Sequence, residues 1–428
     1  MPGSGDETGL WPNERKADVA LASILVLSDR LPYPLVHGAA LRVYHMAREL
    51  GRLHECHLVS TGTDLSCLEA LRQTGVFRSI TTLAGPPMQR SIGRHWRLTN
   101  EHLQRAAYPA YYRTMLQELG DLVVRWRVEV VIATTLELSE YIRPLRGVRK
   151  VVDDCDCHSL TIERQLQSKH VAPRWPQRFS RLIHLRRTRA QEGHLLGWAD
   201  MVSTVSPADA GRLQELHGTN DSRIRVVPNG VTDIALTRSF QKEELPNTIC
   251  FWGTLNFEPN YAAVWYFYRE IFLPYLRANR TVWYIMGPDP SPELVRLSKD
   301  DESIRVTGFI DDLYSMVAKI PVVVNPMIVG TGLKNKVLEA FALRKTVIST
   351  SLGVEAIKAV NGVHYLRADT PASFAEAVGD ALTNASLRSR IGEAARALVL
   401  DEYTWSIIGS QWLALVDQVL ATPRATHE

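Results

Sequence analysis

The sequence predicts an α/β protein built from two doubly wound parallel-sheet domains, and three observations carry that expectation. A chain of 428 residues is too long for one ordinary hydrophobic core, so two domains are expected. Short apolar runs bounded by turn residues alternate with helical stretches, the pattern of strands covered on both faces. The alternation begins afresh after Pro228-Asn229-Gly230, whose turn chemistry marks a hinge between two series.

Composition narrows the class. With 45% hydrophobic and 22% charged residues and a formal charge of +3, neither a disordered chain nor a nucleic-acid binder is indicated. No run of roughly 18 apolar residues occurs and no apolar stretch opens the chain, so a cytoplasmic protein without a membrane span is expected. Five cysteines, dispersed apart from Cys155 and Cys157, fit a reducing compartment better than a disulfide framework.

In chain order, residues 1–20 are polar and rich in Gly, Pro and charge, and read as a mobile tail. Ser23 to Ser28 is the first strand. The loop Pro32 to Ala39 follows, then a helix from Ala40 to about Leu50 and a strand from Cys56 to Ser60. In a doubly wound sheet this first loop faces the crevice where ligands bind. Val128 to Ala133 and Lys150 to Asp154 read as further strands. Behind the second lies Cys155-Asp156-Cys157-His158-Ser159, crowded with potential ligands but lacking a matched second pair for a metal. Its position suits substrate binding: Asp156, His158 and Ser159 could hydrogen-bond a hydroxyl and His158 could relay a proton, or each could serve structure. Gly85 to Asn100 and Gln165 to Gln191 contain no acidic residue, and the second interleaves Arg174, Arg178, Arg181, Arg186, Arg187 and Arg189 with Trp175, Phe179, Leu182 and Leu185. Such a stretch is a solvated helix face, or else it touches an anionic inner-membrane surface or receives a phosphorylated, lipid-linked acceptor.

After the hinge, Thr248 to Gly253, Val282 to Gly287, Ile304 to Gly308, Pro321 to Asn325 and Thr346 to Thr350 read as strands of the second domain. The last apolar periodicity, Ile407 to Leu420, reads as a helix in which tryptophans pack rather than bind. The chemistry concentrates between the last two strands, in Gly330-Thr331-Gly332-Leu333-Lys334-Asn335-Lys336-Val337-Leu338-Glu339. Two glycines let amides approach an anion, an opening helix points its positive end the same way, and Lys334 and Lys336 add charge. Glu339 lies three residues beyond Lys336, on the same helical side, and can accept from hydroxyls. Phosphate plus sugar hydroxyls point to a nucleotide diphosphate sugar. The stretch is not a Walker loop, and Asn335 stands where a dinucleotide fingerprint needs its third glycine.

Gly-x-Gly-x-x-x-Lys-Val-x-Glu-Ala at Gly330 to Ala340 resembles the donor signature of the retaining glycosyltransferase family 4, which has the GT-B fold. Trp198 to Ser206, Val227-Pro228-Asn229-Gly230-Val231, Phe251-Trp252-Gly253 and Val306 to Asp312 are similar to other segments of that family, in its order. The likeness runs from about Ile24 to about Leu415 and is strongest to sugar transferases of exopolysaccharide clusters. It implies an acceptor domain at 21–230, a donor domain at 231–403 and a helix within 404–428 that crosses back to the first domain, with a cleft between the halves. It further implies that Glu339 binds ribose hydroxyls, that Gly308 and Ile310 line the base through main-chain contacts, and that Gly38, with Arg42 one turn on, meets the diphosphate or acceptor. Gly253 would border the donor, with the amides from Gly330 through Thr331, Gly332 and Leu333 on the diphosphate. Lys334 and Lys336 would stabilise the leaving group without a metal or other cofactor.

The chain departs from the family at three places. Thr331 stands eight residues before Glu339, where a glutamate is usual. Thr254-Leu255-Asn256 replaces an Arg and Lys pair, which leaves more of the diphosphate charge to Lys334, Lys336 and Arg42. Thr134 and Thr135 stand where many members place a histidine, so the catalytic polar group of the first domain is unassigned. The resulting expectation is transfer of a sugar, with retention, from a nucleotide diphosphate sugar to a saccharide, lipid-linked or natural-product hydroxyl. The alternatives are a sugar-nucleotide epimerase of the same fold and a non-catalytic binding partner.

Overall fold

Seven parallel strands form the first sheet: β1 Ser23–Ser28, β2 Glu55–Ser60, β3 Ser79–Thr82, β4 Val130–Ala133, β5 Arg149–Asp153, β6 Met201–Thr204 and β7 Ile224–Val226. They lie in the order β3-β2-β1-β4-β5-β6-β7. The second sheet comprises β8 Thr248–Trp252, β9 Val282–Met286, β10 Ile304–Gly308, β11 Val322–Asn325, β12 Thr346–Ser349 and β13 Leu366–Arg367, in the order β10-β9-β8-β11-β12-β13. All these pairings are parallel. The computed structural model describes residues 21–62, 64–85, 105, 108–170, 175–218, 220–240 and 243–422. The tail, the acid-poor stretch beyond Gly85 and Arg174 lie outside the described residues.

The central strands are largely apolar, with polar residues confined to their ends, because helices cover both faces. Every residue of β1, β4, β8, β11 and β12 is buried. Each sheet therefore separates two apolar layers, and in the first sheet Leu25 and Leu27 face one layer while Ile24 and Val26 face the other, as period two demands.

The last helix, Trp405–Ala421, crosses back to the first domain and lies on helix Gly38–Leu50. It buries Trp405, Ile408, Trp412, Leu415, Val416 and Val419 among Leu41, Val43, Met46 and Leu50. At about 1.5–3 kcal/mol for each fully buried aliphatic side chain, this contact is a large fraction of what holds the crossing in place. The hinge turn is fitted to it. Val231 N–H donates to Tyr403 O at 2.8 Å, and a methyl group on Gly230 would lie 2.8 Å from the Trp405 ring. Among the described residues, no helix is long and apolar enough to cross a membrane.

Candidate functional site

Strand order decides where loops converge. In each sheet the chain departs to opposite sides of two central strands, β1 and β4 in the first and β8 and β11 in the second, and a crevice opens outside their carboxyl ends. In the second domain the loops there are those after β8 and β11, which carry Gly253 and the Gly330 to Lys334 stretch. Three successive strands, β8, β9 and β10, end in glycines with positive φ: Gly253 at 147°, Gly287 at 134° and Gly308 at 71°. A Cβ on Gly287 would sit 2.0 Å from Gly253 O, so these backbones touch. Gly308 meets no such neighbour, and Ile310 beyond it is half-buried against the core.

The loop after β11 is bent at Gly330 (φ 109°) and Gly332 (φ 71°), and Leu333 anchors it in the core. Lys334 is the N-cap residue of the helix that follows, which runs Asn335–Ala342. Val337 N–H is already satisfied by Lys334 O at 2.9 Å, so the amides that the first turn leaves without an intrahelical partner are those of Asn335 and Lys336. Lys334 Nζ donates to Thr331 O at 2.5 Å and Gly332 O at 3.1 Å. Lys336 Nζ donates to Asn260 Oδ1 at 2.7 Å and stands 3.9 Å from the centre of the Phe251 ring. Burial, and then the neighbouring Lys334 charge, lowers Lys336 to a pKa of about 7. Burial also lowers Lys334, against the opposing pull of Asp156. One turn on, Glu339 accepts from Trp252 Nε1 at 3.0 Å and from the Tyr314 hydroxyl, and burial raises it. A carboxylate with two oxygens retains capacity for further donors.

The first domain meets this loop directly. A Cβ on Gly332 would lie 1.6 Å from Asp156 Oδ1, and one on Gly38 would lie 2.7 Å from Asn335 Nδ2. Thr331 Oγ1 is 2.5 Å from Thr161 Oγ1, and Asn229 Nδ2 donates to Asn335 Oδ1 at 3.0 Å. Arg164 donates to Gly330 O at 2.8 Å while it forks onto both oxygens of Glu355 at 2.5 and 2.9 Å. Sequence reasoning missed Arg164, because nothing in its neighbourhood distinguishes it from any helical arginine. Asn260 was missed as well; only its place in the cation-poor loop after Gly253 hinted at a role.

Arg42, expected to share the diphosphate charge, is held by other partners. Its guanidinium is 1% exposed and forks onto Asp153 at 2.7 and 2.7 Å. The remaining donor reaches Val227 O (2.8 Å), Pro228 O (3.2 Å) and Asn229 Oδ1 (2.9 Å), with Trp412 5.1 Å away. It clamps the hinge to the first sheet.

The first-domain crevice holds a cavity of about 480 Å³. Its lining includes Asp29, Thr134, Glu137, Asp154, Asp156 and His158, with Tyr111 and Tyr141. His158 opens helix His158–Gln167, half-exposed, with Nδ1 3.6 Å from Glu137 Oε1. Thr135 is spent on capping helix Leu136–Ile142, where it accepts from Leu138 N–H. Ser159 is buried with its amide on Glu192. Cys155 and Cys157 are free thiols; Cys155 donates to Asp153 and Cys157 to Glu192, each at 3.3 Å. Among the described residues no three His, Cys, Asp or Glu groups are gathered to hold a metal ion. In the basic segment, now helix Trp175–Gly193, Arg181 pairs with Glu258 at 2.8 Å and Arg189 with Glu163 at 3.0 Å, while Phe179 and Leu182 are exposed.

Two family models match, one over each domain: Glycosyltransferase Family 4 over residues 36–233 and Glycosyl transferases group 1 over residues 246–384. Among solved structures, sucrose-phosphate synthase from Thermosynechococcus elongatus is similar with a TM-score of 0.68 and 17% identity, over 94% of this chain and 99% of that one. HepE of Anabaena in complex with UDP is similar with a TM-score of 0.65 and 13% identity, over 92% and 100%. A glycosyltransferase from Rickettsia africae reaches 0.63 and 13%, over 95% and 100%. No curated protein matches the chain.

Proposed function

The chain belongs to the glycosyltransferases of GT-B type, and on that premise we propose that it moves a sugar from a nucleotide diphosphate sugar to a hydroxyl of a saccharide or natural-product acceptor, with retention at the anomeric carbon. The observation that carries this reading is the grouping at the second crevice. Lys334, Lys336 and the first amides of helix Asn335–Ala342 stand together, with Glu339 one turn beyond. A departing diphosphate develops negative charge, and prepositioned donors in a partly dehydrated cleft stabilise it without reorganising. Lys336 would take the phosphate charge as it exchanges Asn260 for phosphate oxygen, and Glu339 would receive ribose hydroxyls. Gly308 and Ile310 would line the base, with Gly253 giving close approach. Lys334 would neutralise the loop that holds the diphosphate.

His158, in the wall of the first-domain cavity, is the proposed polar group beside the acceptor hydroxyl. Leaving-group stabilisation is assigned to these cations and amides alone, with no metal. Retention is supported by the resemblance to family 4, and UDP is the first nucleotide to try because HepE is solved with UDP and UDP-glucose. The lipid-linked acceptor has less support, since Arg181 and Arg189 of the basic helix are already in ion pairs.

The test is calorimetric binding of UDP, GDP, TDP and ADP to the native chain and to Lys336→Ala and Glu339→Ala. Saturable binding of one nucleotide, weakened at least tenfold in both variants, is expected. A folded chain that binds none of the four overturns the donor assignment. With the donor identified, product anomeric configuration by NMR tests retention, and activity in excess chelator tests metal independence.

A further inference from the structure

The charge balance of the first-domain cavity has no role in the donor reading and points to the acceptor. Among the described residues its lining includes the carboxyl groups of Asp29, Glu137, Asp154 and Asp156 and the imidazole of His158, with neither a lysine nor an arginine, while Asp156 also feels the charges of Lys334, His158 and Arg42. Further acids stand behind the wall, but each has protein donors. Asp153 takes Arg42 and Ser203, Glu192 takes Ser159 N–H at 3.0 Å, and Asp209 takes Cys157 N–H at 3.1 Å.

Asp154 is the exception. It is 2% exposed, it lines the cavity, and its Oδ2 has no hydrogen-bond partner. A buried carboxyl oxygen left without a donor is expensive unless a ligand supplies one. Burial first, and then Glu192, Asp209, Glu137 and Asp156, push Asp154 well above the usual carboxyl range, so it holds its proton readily and an approaching cation would favour its ionised form. Tyr111 and Tyr141 stand edge to face, 6.4 Å between ring centres, and add apolar surface of the kind sugar rings pack on. A cavity of about 480 Å³ suits a ligand of one or two sugar rings.

We propose that this cavity takes an acceptor carrying a protonated amine, an amino sugar or similar polyhydroxylated amine, with the ammonium held by Asp154, Glu137 and Asp156. A phosphorylated acceptor would meet a wall of carboxyl groups whose described lining holds no lysine or arginine to receive it, and is disfavoured. The inference rests on the reading of the chain as a transferase whose acceptor enters the first domain.

The experiment is titration of the full chain, with and without UDP, by four probes: the disaccharide of glucosamine, its di-N-acetyl form, cellobiose and trehalose 6-phosphate. The amine is expected to bind at least tenfold tighter than the acetylated and neutral sugars, with the phosphate weakest. That preference should fall below threefold in Asp154→Asn and in Glu137→Gln, while both variants keep native nucleotide binding, which shows them folded. Equal or tighter binding of the acetylated, neutral or phosphorylated sugar overturns the proposal, as does binding of UDP with no binding of any sugar. Failure of the native chain to bind UDP, GDP, TDP or ADP would instead fail the donor reading, so the two failures are distinguishable.

Discussion

Replacing Arg42 by alanine separates a hinge clamp from a phosphate ligand. The change removes a two-pronged ion pair and three further hydrogen bonds to the hinge, and strands Asp153, which is 0% exposed, with only Ser203 Oγ at 2.8 Å and Cys155 Sγ at 3.3 Å as donors. Removing one partner of a buried pair costs about 3–5 kcal/mol, because the other charge is left uncompensated. For a cooperative unit of about 200 residues each kcal/mol lowers Tm by roughly 2–4 °C, so a fall of about 6–20 °C is expected. Arg42→Lys should recover only part, since an ammonium cannot fork onto both carboxylate oxygens and still reach the hinge carbonyls. Arg42→Met combined with Asp153→Leu should recover more than either single change predicts, because no orphaned charge remains. The assay is thermal and urea unfolding by circular dichroism, alongside nucleotide titration at a temperature where each variant is folded. Nucleotide affinity should stay within threefold of native. A stability loss below about 1 kcal/mol together with a tenfold loss of nucleotide affinity would refute the clamp and return Arg42 to the diphosphate.

Three further outcomes follow from the same geometry. Lys336, at about 7 in the free chain, should be raised by a bound diphosphate, so nucleotide binding at pH 8 takes up a proton and weakens as pH rises; titration in buffers of different ionisation enthalpy measures the uptake, and no buffer dependence refutes it. Gly332→Ala places a methyl group on Asp156 at φ 71° and should weaken nucleotide-sugar binding at least tenfold, whereas in an Asp156→Ala background only the backbone strain of roughly 1–2 kcal/mol should remain. His45, stacked on Trp405 at 4.6 Å, is pulled by burial, and then by Arg48, to about 3. The unfolded chain then binds a proton that the folded chain refuses, so stability falls as pH drops from about 6.5 towards 3, by up to roughly 1.4 kcal/mol per unit. His45→Leu should flatten that slope in unfolding curves taken from pH 7 to 4.

Legibility in the sequence followed burial. Strands β1, β4, β8, β11 and β12 were readable because helices cover both faces, which forces a run of apolar residues between their polar ends. The sheet borders were not: β3 is half-buried throughout, β7 exposes Arg225 and Val226, and β13 is two residues long, so none had to be apolar. The π-helical stretch Phe267–Leu276 also escaped notice, although Pro274 inside it forbids a regular donor.

At the site, local chemistry was legible and partnership was not. Gly330, Gly332, Lys334, Lys336 and Glu339 declare themselves by spacing, but the φ of 109° and 71° that bends the loop at the glycines before the helix begins is not spelled there. Arg42 and Arg164 carry the same side chain on ordinary helices. One is consumed by Asp153, 111 residues away, and the other reaches Glu355, 191 residues away, beside the donor loop. An arginine's local sequence reports that it has five donors and not where they go. The acidic wall shows the same limit in reverse. Asp153 and Asp154 are adjacent and chemically identical, and strand alternation sends one to Arg42 and the other to a cavity with no donor for it. A difference of one residue in register thus separates a structural carboxylate from one that awaits a ligand, and only the long-range fold decides which is which.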